Sequence, residues 1–200
     1  MHDAPTVRAA RARFFAQAGF PADGGYRDPW AEAEFGPVRY RVPNGGLRAR
    51  ALRLHDLHHV ATGYATDWRG ESEISGWELG SGGAGSTAYA WLIALWGVFV
   101  GLLLHPGPTF RAFVRGRGST NLYGQPWDPT WLDQPLGQLR DALSVQPERR
   151  ATPADAFAFA PTVLLAVALG TASLVPAFLM VALAAGRSLM SCPLGCAQAI

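Results

Sequence analysis

The spacing of apolar and polar positions changes several times along the chain, and each change marks an element. Residues 6–19 predict a first helix, with Thr6 at its N-cap and Gly19 just past its end. Phe20 to Trp30 is dense in Pro, Gly and Asp and predicts a loop. Val38, Tyr40 and Val42 alternate with Arg39 and Arg41, the period of a short strand, which Pro43-Asn44-Gly45-Gly46 ends. Residues 47–62 return to helical spacing, with Leu54, Leu57 and Ala61 on one stripe and Gly63 as the stop. Thr66 or Asp67 caps the next helix, which starts near Trp68; on it Ile74 and Trp77 pack while Glu71, Ser75 and Glu78 share the other side.

The second half is more apolar. Gly80 to Ser86 forms a loose connector, which lacks the preceding strand and the Lys-Ser/Thr or dinucleotide pattern of a phosphate cradle. Thr87 to Leu104 runs without a charge, at the lower limit for crossing a bilayer, and Arg111, Arg115 and Arg117 follow. A helix buried in the domain or lying against a membrane fits this stretch, its arginines meeting lipid head groups. Residues 121–147 predict a Trp/Pro loop and then an amphipathic helix carrying Leu132, Leu136, Leu139 and Leu143. Ala156 to Gly186 again holds no charge and is interrupted by Pro161 and Pro176. One tilted or kinked transmembrane helix fits it, with a tight helical hairpin as the short alternative. Together these elements predict a mostly α fold: a compact multi-helix domain over residues 1–150 and a hydrophobic C-terminal tail over 151–200 acting as a membrane anchor.

Composition adds little that contradicts this. All 17 basic residues are arginine and the net charge is only +2, so the total gives no reason to expect nucleic acid as a partner. Residues 1–20 carry Asp3, Arg8, Arg11 and Arg13 with no apolar run, so no signal peptide is expected there. Arg149 and Arg150 before the apolar tail, against Arg187 after it, favour the N-terminal side in the cytoplasm. Cys192 and Cys196 lack CxxC spacing and a second pair, and read as free thiols.

The chemistry concentrates in His55-Asp56-Leu57-His58-His59. On a helix His55 and His59 project from one face, and Asp56 lies about 100° round from His55. Glu71 comes after a break and returns from the following helix to close the site. Two imidazoles with carboxylates suit zinc, iron or manganese. His58 points away and reads as a local hydrogen-bonding residue; His105, before Pro106, reads as an interfacial cap. Two hydrolase classes fit poorly. A zincin protease needs Glu where this chain has Asp56, which is one methylene shorter. A phosphohydrolase with a His-Asp pair needs a further upstream His, and only His2 is available.

The spacing His55-Asp56-x-x-His59, eleven residues, Glu71 resembles the signature of the coenzyme Q (ubiquinone) biosynthesis protein 4 family. The flanks RLHDLHHVATGYATDWRGESEISGWELGSG, TFRAFVRGRGSTNLYG and PWDPTWLDQPLGQLRDALSV are similar to its central helix pair, basic segment and closing helix. The resemblance covers roughly residues 20–147. It implies a mostly helical fold and a divalent metal, usually zinc, on His55, Asp56, His59 and Glu71, which would also be the catalytic residues. It implies membrane association through a prenylated quinone-precursor lipid, and other ubiquinone-biosynthesis enzymes as partners. The implied roles are replacing the ring carboxyl of a prenylated hydroxybenzoate by hydroxyl, or a non-catalytic scaffold that binds lipid and organises those enzymes. Arg111, Arg115 and Arg117 would meet the lipid head group or membrane surface. The expected location is the cytosolic face of a bacterial inner membrane. The tail from about residue 151 has no counterpart in that family.

Overall fold

The computed structural model describes residues 4–35 and 38–190. His2, Cys192 and Cys196 lie outside the described residues. Seven α-helices occur among them: α1 (Val7–Ala18), α2 (Gly46–Thr62), α3 (Trp68–Gly80), α4 (Ala88–Leu104), α5 (Pro106–Gly116), α6 (Leu136–Ala142) and α7 (Pro153–Met190). The expected mostly α fold with an apolar C-terminal helix is what the chain adopts.

Local chemistry sets most boundaries. Thr6 accepts a hydrogen bond from the Ala9 N–H at 3.2 Å, and Gly19 closes α1 at φ 73°. Gly63 closes α2 in the same left-handed conformation at φ 83°. Of the two candidate caps for α3, Asp67 takes the role, accepting from the Gly70 N–H at 2.7 Å.

Three segments depart from the periodicity. The strand Val38–Pro43 (β2) has a partner, Trp30–Phe35 (β1), in an antiparallel pair with Trp30 opposite Pro43 and Glu32 opposite Arg41. The expected helix carrying Leu132 to Leu143 is split. Leu132 ends a short 3-10 turn, Asp133 to Pro135 intervene, and α6 follows, because Pro135 cannot supply the N–H a continuing helix needs. Its spaced leucines still reach one place: Leu132, Leu139 and Leu143 are all buried. Finally α7 runs unbroken through Pro161 and Pro176, so the hairpin alternative is not adopted.

One core gathers Val7, Leu54, Leu57, Ile74, Trp77, Tyr123 and Leu139 between α1, α2, α3 and α6. A second joins α4, α5 and α7 through Val98, Phe99, Phe113, Phe159 and Ala166. The tail is therefore packed on the domain along its first half. Asp155 fixes its start, accepting from Arg117 at 2.6 Å, from Arg149 at 2.7 and 2.8 Å, and from the Thr152 N–H at 2.8 Å. Among the described residues, the opposite face of α7 is exposed: Phe157 is 87% exposed and Leu164 71%. Pro153–Leu174 is long and apolar enough to cross a membrane.

α3 lies against both α4 and α5, and small residues permit the approach. A Cβ on Gly76 would overlap the Thr109 carbonyl, one on Gly80 the Phe113 carbonyl, and one on Gly116 the Trp77 carbonyl. On the α4 side, Gly97 makes room for Ser75 and Gly101 for Ser72 and Thr109. The obstacles at Gly76, Gly80 and Gly116 are backbone atoms, which rotamer changes cannot relieve. Gly116→Ala is therefore expected to cost about 1–3 kcal/mol in denaturant unfolding. Gly137→Ala on α6, where an added Cβ meets nothing within 4 Å, should instead stabilise by about 0.5–1 kcal/mol.

Candidate metal centre

α2 and α3 contribute the groups singled out from the sequence. The last two turns of α2 are enclosed from all sides, so His55, Asp56, His58 and His59 are all buried. The first turn of α3 brings Glu71 to them. His55 Nε2 and His59 Nε2 stand 3.2 Å apart. Glu71 approaches both, with Oε2 at 3.4 Å from His55 Nε2 and Oε1 at 3.6 Å from His59 Nε2. One ligand atom from each of His55, His59 and Glu71 thus falls within 4.8 Å of the others.

The outer nitrogens decide the tautomers. His59 Nδ1–H donates to the Tyr64 carbonyl at 3.0 Å, and His55 Nδ1–H donates to Glu78 Oε1 at 2.8 Å. In the neutral rings, both Nε2 atoms therefore carry lone pairs, and the lone pairs face one another beside a carboxylate. A divalent metal or a proton can lie among them. Two ligands at about 2.1 Å from one tetrahedral ion sit about 3.4 Å apart, so the observed spacings suit a shared divalent metal. Without a metal, a proton serves. Burial opposes charge on His55, but Glu78 and Glu71 outweigh it and hold its pKa well above the ordinary 6.5. Burial likewise opposes the Glu71 carboxylate, yet hydrogen bonds from His55 and His59 bring it down to about 2.

Asp56 stands differently from the expected ligand role. It lines the same cavity as His55, His59 and Glu71. Its Oδ2, however, accepts from the Tyr26 hydroxyl, and it stands outside the converging group. Burial raises its pKa. Tyr26 comes from the loop after α1, and Arg53 lies over its ring. From α1, Phe14 stacks on His59 with ring centroids 5.3 Å apart and closes that side.

The partners of His58 are distant in sequence. The Leu122 N–H donates to its Nε2 at 2.9 Å, so its Nδ1–H donates to Glu78 Oε1 at 2.7 Å. Burial lowers its pKa, consistent with a neutral ring. Glu78 was legible only as a neighbour of Glu71 on α3, two helical turns away. Its part in holding both His55 and His58 depends on contacts no local pattern displays. His105 is the shared boundary residue of α4 and α5.

Two cavities meet at this group. One, of about 880 Å³, is lined by Phe20, Trp30, Arg48 and Asp56. The other, of about 510 Å³, is lined by Tyr89, Leu92, Ile93, Trp96 and Val100 of α4 and reaches Ser173 of α7. His55, Glu71, Arg48 and Leu52 border both. Arg48 is held in place by donating to the Tyr89 hydroxyl at 3.0 Å and to Asn44 Oδ1 at 2.7 Å. The three arginines after α4 lie elsewhere. Arg115 donates to the carbonyls of Gln146 at 2.6 Å and Thr62 at 3.2 Å, Arg117 to Asp155, and Arg111 is exposed on α5.

Stability should follow pH through these pairs. Glu78 has its pKa held below the ordinary 4.5 against its burial, chiefly by His55, so its contribution is present above 4.5 and lost as pH falls through the depressed value. The raised pKa of His55 gives the opposite sign: its contribution is complete below 6.5 and lost as pH rises through the raised value. Metal-free protein is thus expected to melt highest between about pH 4.5 and 6.5. Added divalent metal, which displaces the His55 proton, should move the optimum upward. Thermal melts across pH with and without metal check both expectations, and an unchanged optimum would count against the shared cation site.

No family model, curated protein or solved structure matches the chain.

Proposed function

We propose that this chain binds a divalent metal on His55, His59 and Glu71 and uses it to hold the polar head of a membrane amphiphile, in the manner of the ubiquinone-biosynthesis family it resembles. The carrying observation is the pair of lone-pair-bearing Nε2 atoms 3.2 Å apart, set where a cavity of mixed polar and apolar lining meets a more apolar groove. A prenylated hydroxybenzoate meets that division. Its carboxylate or phenolate suits the metal and Arg48, and its isoprenoid tail suits Leu92, Ile93, Trp96 and Val100. The uncovered apolar face of α7 supports a membrane setting, and the arginines preceding it favour the cytosolic face of a bacterial inner membrane.

Zinc is the reading that the family resemblance favours, with iron and manganese compatible with the same donors. A metal there supplies Lewis-acid stabilisation of the oxygen-centred charge on the head group. The chain's own residues do the rest. His55 and His59 fix the site, Glu71 neutralises charge, Arg48 orients the anion, and Phe14 shields His59 from the surface. Asp56, hydrogen-bonded by Tyr26, lines the same cavity and is available to exchange a proton with a bound phenol. Replacing a ring carboxyl by hydroxyl expels CO₂ and oxidises the ring carbon by two electrons. Zinc has no redox states, so dioxygen or another external oxidant must accept those electrons.

A second reading keeps the ligand and omits the reaction: the metal ties α2 to α3, and the groove presents lipid to partner enzymes. Both readings require metal in detergent-purified protein by elemental analysis and a prenylated benzenoid among its co-purifying lipids. They part on turnover. An enzyme converts a prenylated hydroxybenzoate unaided in the presence of oxidant, and His59→Ala abolishes this with the fold intact. A scaffold gives no turnover, and removal of metal lowers its melting temperature alone. Protein free of metal and of bound lipid would overturn both.

A further inference from the structure

The buried carboxylate of Glu78 lies outside the converging group of His55, His59 and Glu71. It is fully buried, and its Oε1 accepts from His55 Nδ1 at 2.8 Å, His58 Nδ1 at 2.7 Å and the Tyr123 hydroxyl at 2.8 Å. Its Oε2 has no hydrogen-bond partner among the described residues. Withdrawing an anion from water costs several kcal/mol, which hydrogen bonding to neutral donors recovers only in part. A neutral glutamine would still present an acceptor oxygen to these donors, so holding the helices together does not by itself call for a charge.

The surroundings show where that charge acts. His58 is fixed from its other side by the Leu122 N–H, so it serves Glu78 only as a neutral donor. Tyr123 is a second neutral donor; burial, reinforced by Glu78, raises the pKa of its hydroxyl further. His55 alone faces Glu78 with one nitrogen and the candidate metal site with the other. We infer that Glu78 is a positioning residue for the metal centre: it fixes the ring and tautomer of His55 and strengthens Nε2 as a donor to a divalent cation, while His58 and Tyr123 hold Glu78 in place. Charge agrees with this. Glu71 is paired with His55 and His59 and Glu78 with His55, and their combined charge balances one divalent ion, while Asp56 has one oxygen engaged by Tyr26. The inference rests on the metal reading above and deepens it.

The test uses Co²⁺ as probe on the full chain in detergent, with affinity from chelator competition, the visible absorption of the bound ion, and far-UV circular dichroism as the check on folding. Glu78→Gln keeps an acceptor oxygen toward the same donors and removes the charge, so Co²⁺ affinity should fall about 10- to 100-fold with a shifted absorption band. Tyr123→Phe removes one donor to the same oxygen and leaves the charge. It should lower the melting temperature while keeping affinity within about threefold of wild type. A folded Glu78→Gln protein that binds Co²⁺ like wild type overturns the inference, as does a Tyr123→Phe protein whose affinity falls to the same extent. Should the glutamine variant not fold, Glu78→Asp draws the acceptor back from His55 Nδ1; it must show the same loss, and unchanged affinity again overturns the role. Wild type that takes up no Co²⁺ and shows no visible band overturns the metal reading itself, a result distinct from the others.

Discussion

α3 is joined to its neighbours in two different ways, and the architecture depends on the contrast. Toward α4 it offers Ser72 and Ser75, which fit against Gly101 and Gly97, and toward α5 Gly76 and Gly80, where backbones meet at distances that exclude a Cβ. Toward α2 it offers Glu71 and Glu78, so the two helices meet through carboxylates and imidazoles. Small residues on one side make a rigid platform. Long, charged ones on the other hold open the space in which His55 and His59 face Glu71. Close packing on every side would have left no site, and charged contacts on every side would have left no core.

Much of this was readable from local chemistry. Thr6, Gly19, Gly63 and Asp67 act on backbone groups within a few residues of themselves, so the limits of α1, α2 and the start of α3 follow from sequence. The approach of His55 to His59 follows from helical spacing, and Glu71 enters through a short, well-capped connection. What escaped was non-local. β1 carries Ala-Glu-Ala-Glu, whose small and charged residues give little sign of a strand until β2 supplies a partner. Pro135 breaks a leucine spacing that survives in the core all the same, because a 3-10 turn and α6 return those leucines to one side. Asp56 reads as a ligand until Tyr26, from a loop thirty positions earlier, takes its oxygen. The importance of Glu78 needs Leu122 and Tyr123, which arrive from beyond α5.

The family resemblance and the geometry meet at His55, His59 and Glu71 and differ in emphasis at Asp56. In this chain the aspartate is better described as a polar wall of the cavity than as a member of the converging set. Of the arginines after α4, Arg115 and Arg117 fasten the end of α5 to the 144–155 connection, while Arg48 borders both cavities at the site.

The unbroken course of α7 carries a consequence for position. At 1.5 Å per residue its 38 residues extend about 57 Å, while a bilayer's hydrocarbon layer takes up about 20 residues of helix. Ser173, a little past the midpoint, borders the same groove as Glu71. The helix therefore acts as a ruler laid beside the histidine pair. The depth of the pair relative to the lipid head groups would be set by counting residues between Ser173 and the part of the helix that a membrane held, and inserting or deleting one turn between them would shift that depth by about 5 Å.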